Sequence, residues 1–282
     1  MEGRMQNFIC LKCGFAFFFL FVKGRVEMKY IVITGASSGI GEAMCYAFAK
    51  RGYSLIIVAR QQEKLELLSK ALKSAYNISV TVMSYDLSDL KQVELLYQEC
   101  RPYQVVGLVN NAGYGLYGYF DEIDLNEELN MIDLNIKSLH MLTKLFLMDF
   151  MASNEGYLLN VASTAAFQSG PVMASYYASK GYVLQLTEAI AHELQTKKSQ
   201  VKISVLCPGP VDTNFQQRAH IKTASKKLPT AAEVAELAAE KLLEGQLLIV
   251  PGSKNRLLLF LNRFIPRKWG RELVYRNQLK KR

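Results

Sequence analysis

The sequence predicts an α/β fold: one doubly wound parallel sheet of the Rossmann type, followed by a basic C-terminal helical tail. Three observations predict it. Short apolar runs without polar alternation, the mark of strands buried on both faces, are separated by amphipathic stretches of helical period. The first run passes directly into a Gly-rich turn that opens a helix. The chain, 282 residues and 50% hydrophobic, is long enough to cover both faces of a single sheet.

Taken in order, Tyr30-Ile31-Val32-Ile33 reads as the first strand, followed by a glycine turn and a helix through Lys50. Leu55-Ile56-Ile57-Val58 is the second strand, and Glu63 to Ala75 a helix with Leu65, Leu68 and Leu72 on one stripe. Ile78 to Met83 is the third strand; Ser88, with Asp89 behind it, starts a helix to Cys100. Val105 to Val109 is the fourth strand, and a long helix from about Asn126 to Met151 leads to the fifth, Tyr157 to Val161. A helix over Ser175 to Thr196, a strand over Val201 to Leu206, a helix over Ala231 to Glu244 and a short strand over Leu247 to Val250 complete the set. Right-handed crossovers put the loops after Ile33, Val58, Val109, Val161 and Leu206 around one crevice at the carboxyl ends of the strands. The expected division is an N-terminal extension over 1–27, a Rossmann-fold domain over 28–252 and a basic amphipathic tail over 253–282.

The formal charge of +9 does not describe the body of the molecule. Ten basic residues from Pro251 onward, against Glu272 alone, account for all of it, so residues 1–250 are formally neutral. With no nucleic-acid motif in the body, nucleic acid is not an expected partner. Five scattered cysteines do not make a disulfide framework, and Cys10-x-x-Cys13 has no second ligand pair nearby. No metal site is expected. The run Phe15 to Val22 is too short to span a bilayer, which takes about 20 residues, and Lys23-Gly24-Arg25 after it is no cleavage site. Residues 1–27 read as an extension outside the fold, with a weak membrane anchor as the rival reading. The expected location is cytoplasmic.

The loop after the first strand carries Gly35, Ser37, Ser38, Gly39, Ile40 and Gly41. Glycines let backbone approach a pyrophosphate, whose charge meets the free N–H groups of the following helix; an ordinary tight turn is the bland alternative. Strand two then ends in Val58-Ala59-Arg60, where an NAD site would carry a carboxylate for the ribose 2′-hydroxyl. A guanidinium there suits a 2′-phosphate, so NADPH is the favoured cofactor over NADH.

Ser163 follows the fifth strand, Tyr176 lies thirteen residues on, and Lys180 four beyond that. The four-residue step places Tyr176 and Lys180 on one helix face, where an ammonium would favour phenolate and lower the tyrosine pKa. Such a phenol can exchange a proton with an alkoxide, and Ser163 can hold the same oxygen. Tyr177, three residues from Lys180, is barely separated from Tyr176 by helical geometry alone.

Thr34 to Gly41, Asn110-Asn111-Ala112-Gly113, Asn135, Ser163, Tyr176-x-x-x-Lys180 and Pro208-Gly209 together resemble the short-chain dehydrogenase/reductase family over about residues 29–250. The resemblance implies Tyr176 as general acid/base, Lys180 orienting the nicotinamide ribose, Ser163 positioning the carbonyl and Asn135 serving a proton relay. It further implies that Asp86-Leu87 contacts adenine, that Asn111, Ala112 and Gly113 steady the sheet beside the adenosine, and that Pro208, Gly209, Val211 and Thr213 close over the nicotinamide. A homo-oligomer is implied as well. The expected substrate is a small-molecule carbonyl or alcohol, and Tyr114, Tyr117, Tyr119, Phe120, Phe167 and Met173 make its pocket apolar. In the tail, Leu257 to Leu261, Phe264, Ile265 and Trp269 among basic residues suit peripheral contact with an anionic membrane, or packing on the body or a partner subunit. The contrasting readings are a cofactor-holding sensor without turnover and a binder of membrane surfaces.

Overall fold

The computed structural model describes residues 28–212 and 228–280. The extension over 1–27, with Cys10-x-x-Cys13 and the Phe15 to Val22 run, lies outside the described residues, as do Thr213 and His220. Seven parallel strands form one sheet in the order β3-β2-β1-β4-β5-β6-β7: β1 Tyr30–Thr34, β2 Ser54–Ala59, β3 Val80–Ser84, β4 Val105–Asn110, β5 Tyr157–Val161, β6 Lys202–Leu206 and β7 Leu248–Ile249. The order reverses between β1 and β4, which opens a crevice at their carboxyl ends.

Every residue of β1 and β2 is buried, as continuous apolar runs require when helices cover both faces. Ile31, Ile33, Leu55 and Ile57 point to one face, against Met44 and Phe48 of α1 (Gly39–Ala49), the Leu65–Leu72 stripe of α2 (Gln62–Ala75), and a later helix rich in alanine. Val32, Ile56, Val58 and Leu108 point to the other, against Val93 and Leu96 of α3 (Leu90–Cys100) and against Phe146 and Phe150. The α3 cap is Asp89, whose side chain accepts from the Lys91 N–H; Ser88, expected to start this helix, instead donates to Asp86 at 2.8 Å.

The long helix expected from Asn126 to Met151 is interrupted. It runs as α4 (Leu125–Ile132), a π-helical turn (Asp133–Ser138) and α5 (Leu139–Ser153). A π turn inserts one extra residue without breaking the apolar pattern, so periodicity does not reveal it. The chain continues through a 3₁₀ turn (Thr164–Phe167), α6 (Ala174–Thr196) and α7 (Ala231–Glu244). Ala235, Ala238 and Ala239 are the small residues that let α7 pack closely on α1, and Arg51 forks both carboxylate oxygens of Glu236 across that junction. The tail forms two helices, α8 (Ser253–Asn262) and α9 (Arg267–Leu279). No helix among the described residues is long and apolar enough to cross a membrane.

Candidate active site

At the carboxyl ends of β1 and β4 the chain is braced by one asparagine. Asn111 donates through Nδ2 to the Thr34 carbonyl at 3.0 Å and the Gly35 carbonyl at 3.3 Å, while the Thr34 hydroxyl accepts from the N–H groups of Asn111 and Ala112. These bonds hold the Gly35 turn against the 111–113 segment. Gly35 (φ 66°) and Gly39 (φ 61°) take the left-handed backbone that a side chain would strain. A Cβ on Gly41 would lie 2.2 Å from the Gly35 carbonyl oxygen, so the loop closes on the helix only without one.

This loop floors a cavity of about 810 Å³, large enough for a dinucleotide with room beyond it. Gly35, Ser37, Ser38, Gly39 and Ile40 line one end, with Arg60, Asp86 and Leu87 beyond them. Arg60 and Asp86 sit at the rim 3.8 Å apart as an exposed ion pair. The guanidinium therefore follows directly on the end of β2, where neither Ala59 nor Arg60 offers a carboxylate. Glycine backbone, a helix N-terminus and a rim arginine fit a phosphorylated dinucleotide.

At the other end, Ser163, Tyr176, Lys180, Pro208, Gly209 and Val211 line the same cavity. The β5 register delivers Ser163 just past Val161, and α6 carries Tyr176, Ser179 and Lys180 on its buried side. Ser163 is hydrogen-bonded to the Tyr176 hydroxyl. Burial pushes that phenol up to about 12; the Ser163 bond pulls the other way, and Tyr177 and Cys207 add to the rise. The phenol thus stands above its ordinary value, opposite to the expected lowering, with desolvation as the first cause. Lys180 is itself lowered to about 8 by burial, donates to the Val161 carbonyl at 2.9 Å, and lies 6.0 Å from the centre of the Tyr176 ring.

Asn135 is fully buried in the π turn. Its Nδ2 donates to the Tyr114 carbonyl at 2.9 Å and the Ser179 hydroxyl at 3.1 Å, and its Oδ1 accepts from the Tyr114 N–H. A Cβ on Gly113 would fall 2.8 Å from Asn135 Oδ1 and 3.5 Å from Lys180 Nζ, so both groups flank one glycine. Tyr177 is separated from Tyr176 by its partner: its hydroxyl accepts from Gln278 Nε2 at 2.7 Å. Gln278 belongs to α9, part of the basic tail for which packing on the body was one of the expected alternatives. Among the described residues no group of His, Cys, Asp and Glu could hold a metal ion.

The aromatic loop residues divide. Tyr114 and Met173 line the cavity, whereas Phe120 is exposed, and Tyr117 and Tyr119 bond to the tail helix. Residues 213–227 lie outside the described residues, and Leu228, just after them, lines the cavity.

Residues 29–223 match the family model described as short chain dehydrogenase. An NADP-dependent 3-hydroxy acid dehydrogenase of Schizosaccharomyces pombe is 36% identical over 198 residues, 68% of this chain and 74% of the relative. A short-chain dehydrogenase of Sphingobium yanoikuyae in complex with NADPH superposes with a TM-score of 0.76 at 26% identity, covering 83% of this chain and 93% of the other. One from Burkholderia phymatum in complex with NAD gives 0.75 at 28% identity over the same shares of the two chains.

Proposed function

The chain belongs to the short-chain dehydrogenase family, an NAD(P)-dependent oxidoreductase of hydroxyl and keto groups, and we propose that it reduces the carbonyl of a mostly apolar substrate with NADPH. The observation that carries this reading is the Tyr176 phenol, buried in the cavity wall and bonded to Ser163. A phenol held near 12 is protonated at neutral pH, which suits the donor of a proton to a nascent alkoxide. Bound NADPH supplies the hydride. Ser163 positions the carbonyl oxygen beside Tyr176, Lys180 orients the nicotinamide ribose, and Asn135 holds the Tyr114 backbone where a proton relay would leave the site. Arg60 favours a 2′-phosphate, in keeping with the NADP dependence of the fission-yeast relative. NADH remains the second cofactor, given the relative bound to NAD.

A screen of NADPH oxidation across acyl, steroid, sugar and quinone ketones tests the reading. Turnover of at least one class is expected. Tight NADPH binding with no turnover of any class would favour a sensor instead.

A second reading concerns partners. No residue of α8 is buried, and Leu257, Leu258, Phe260, Phe264 and Trp269 are exposed beside Arg256, Arg263, Arg267 and Lys268. Apolar and basic groups together suit an anionic lipid surface. Full-length protein should sediment with anionic vesicles in a salt-dependent way, and protein lacking residues 253–282 should not. Burial of the patch in a homo-oligomer is the outcome that would replace it, read from the mass in solution.

A further inference from the structure

The proposed reduction leaves open which ketones enter, and the C-terminal helix bears on that. Gln278 is 3% exposed, and it is tied to the substrate side twice: its Nε2 donates to Tyr177, and its carbonyl accepts from the Tyr117 hydroxyl at 2.8 Å. The hydroxyls of Tyr119 and Tyr275 meet at 2.9 Å one turn earlier. These bonds join residues more than 100 positions apart and seat the last turn of α9 against the catalytic helix and the 114–119 loop. The turn then lines the cavity with Asn277, Gln278 and Lys280.

Charge in that cavity is sparse. Arg60 and Asp86 pair at the adenosine end and Lys180 is buried beside Tyr176. Lys280 is the remaining charged residue of the lining, exposed and in no ion pair among the described residues. Around it the wall is otherwise uncharged, with Tyr114, Ala165, Met173 and Tyr177.

Resting on the carbonyl-reductase reading, we propose that the last turn of α9 is the specificity wall of the pocket, clamped by Gln278 and presenting Lys280 to a carboxylate carried by an apolar ketone at the end remote from the reacting carbon. The attraction is between partly solvated charges, so it is modest and sensitive to salt. It acts on substrate binding and leaves the chemical step untouched.

The test compares a medium-chain keto acid with its methyl ester, by calorimetry on the NADP⁺-loaded protein and by NADPH oxidation. The acid should bind roughly fivefold more tightly than the ester, as a rim ion pair allows. Lys280→Met should erase that preference, and Lys280→Arg should keep it. Gln278→Ala, which frees the turn from Tyr177, should erase it as well. Equal binding of acid and ester by the native protein, or a preference that survives Lys280→Met, overturns the proposal. A preference that survives Gln278→Ala overturns the clamp. Acid-selective binding with no oxidation of NADPH by this pair or by any class of the ketone screen would refute the reductase reading while leaving the wall in place.

Discussion

Lys180 donates to the Val161 carbonyl at 2.9 Å while standing 6.0 Å from the centre of the Tyr176 ring. The buried ammonium is therefore anchored to the end of β5 while it lies over the ring of the phenol. Burial lowers it to about 8, and holds Tyr176 near 12. In the reductive direction Tyr176 stays protonated across the working range, so the group that titrates is Lys180. The expected profile of kcat/KM for reduction falls as pH rises through about 8; a flat profile to pH 10 would contradict this assignment.

The same shift has a consequence for stability. Between about 8 and the ordinary lysine value of 10.5 the unfolded chain binds a proton that native Lys180 has released. The lysine contribution to native stability therefore rises with pH across that window, and its destabilising effect is fully present below it. Urea midpoints at pH 7.5 and 10 should show this rise in the native protein relative to Lys180→Met.

Two adjacent tyrosines are told apart by their partners, Ser163 for Tyr176 and Gln278 for Tyr177. Tyr176→Phe should lower kcat by about 10²- to 10⁴-fold, the usual worth of a general acid, with NADPH affinity preserved. Tyr177→Phe should keep most of kcat on a small ketone. A reversed pair of results would exchange their roles.

At the far end of the cavity, Arg60→Asp should move the preference from NADPH toward NADH, because it replaces a partner of phosphate by one that repels it. Relative kcat/KM for the two cofactors reads the effect, and an unchanged ratio would sink the role given to Arg60.

Gly41→Ala places a methyl 2.2 Å from the Gly35 carbonyl oxygen, a backbone atom that cannot swing aside. The loop must shift, at a cost of about 1–3 kcal/mol, and cofactor affinity should fall with it. Fluorescence titration of NADPH, alongside a urea denaturation curve, separates the two effects. Full retention of both would show that the loop has slack the structure does not display.

Cys45, Cys100 and Cys207 are buried, and desolvation raises all three thiols, Cys100 and Cys207 to about 12. They should resist iodoacetamide at pH 8 in the folded protein and react in denaturant, as peptide mass spectrometry would record.

The sequence by itself determined the layered sheet, since apolar runs such as Tyr30–Ile33 and Leu55–Val58 leave no face for water and demand helices on both sides. Spacing along one helix brought Tyr176 and Lys180 to a common face, and the glycine turn after β1 announced a nucleotide. Tertiary structure decided what local pattern does not encode. How far desolvation raises the Tyr176 phenol depends on how much chain packs over it. The π turn at Asn135 adds one residue to a helix without disturbing its apolar stripe. The tail read as a separate basic segment, yet Gln278 meets Tyr177 across 101 positions. Contacts of that range arise only when the whole chain has closed, because nothing in the residues nearby in sequence selects the partner.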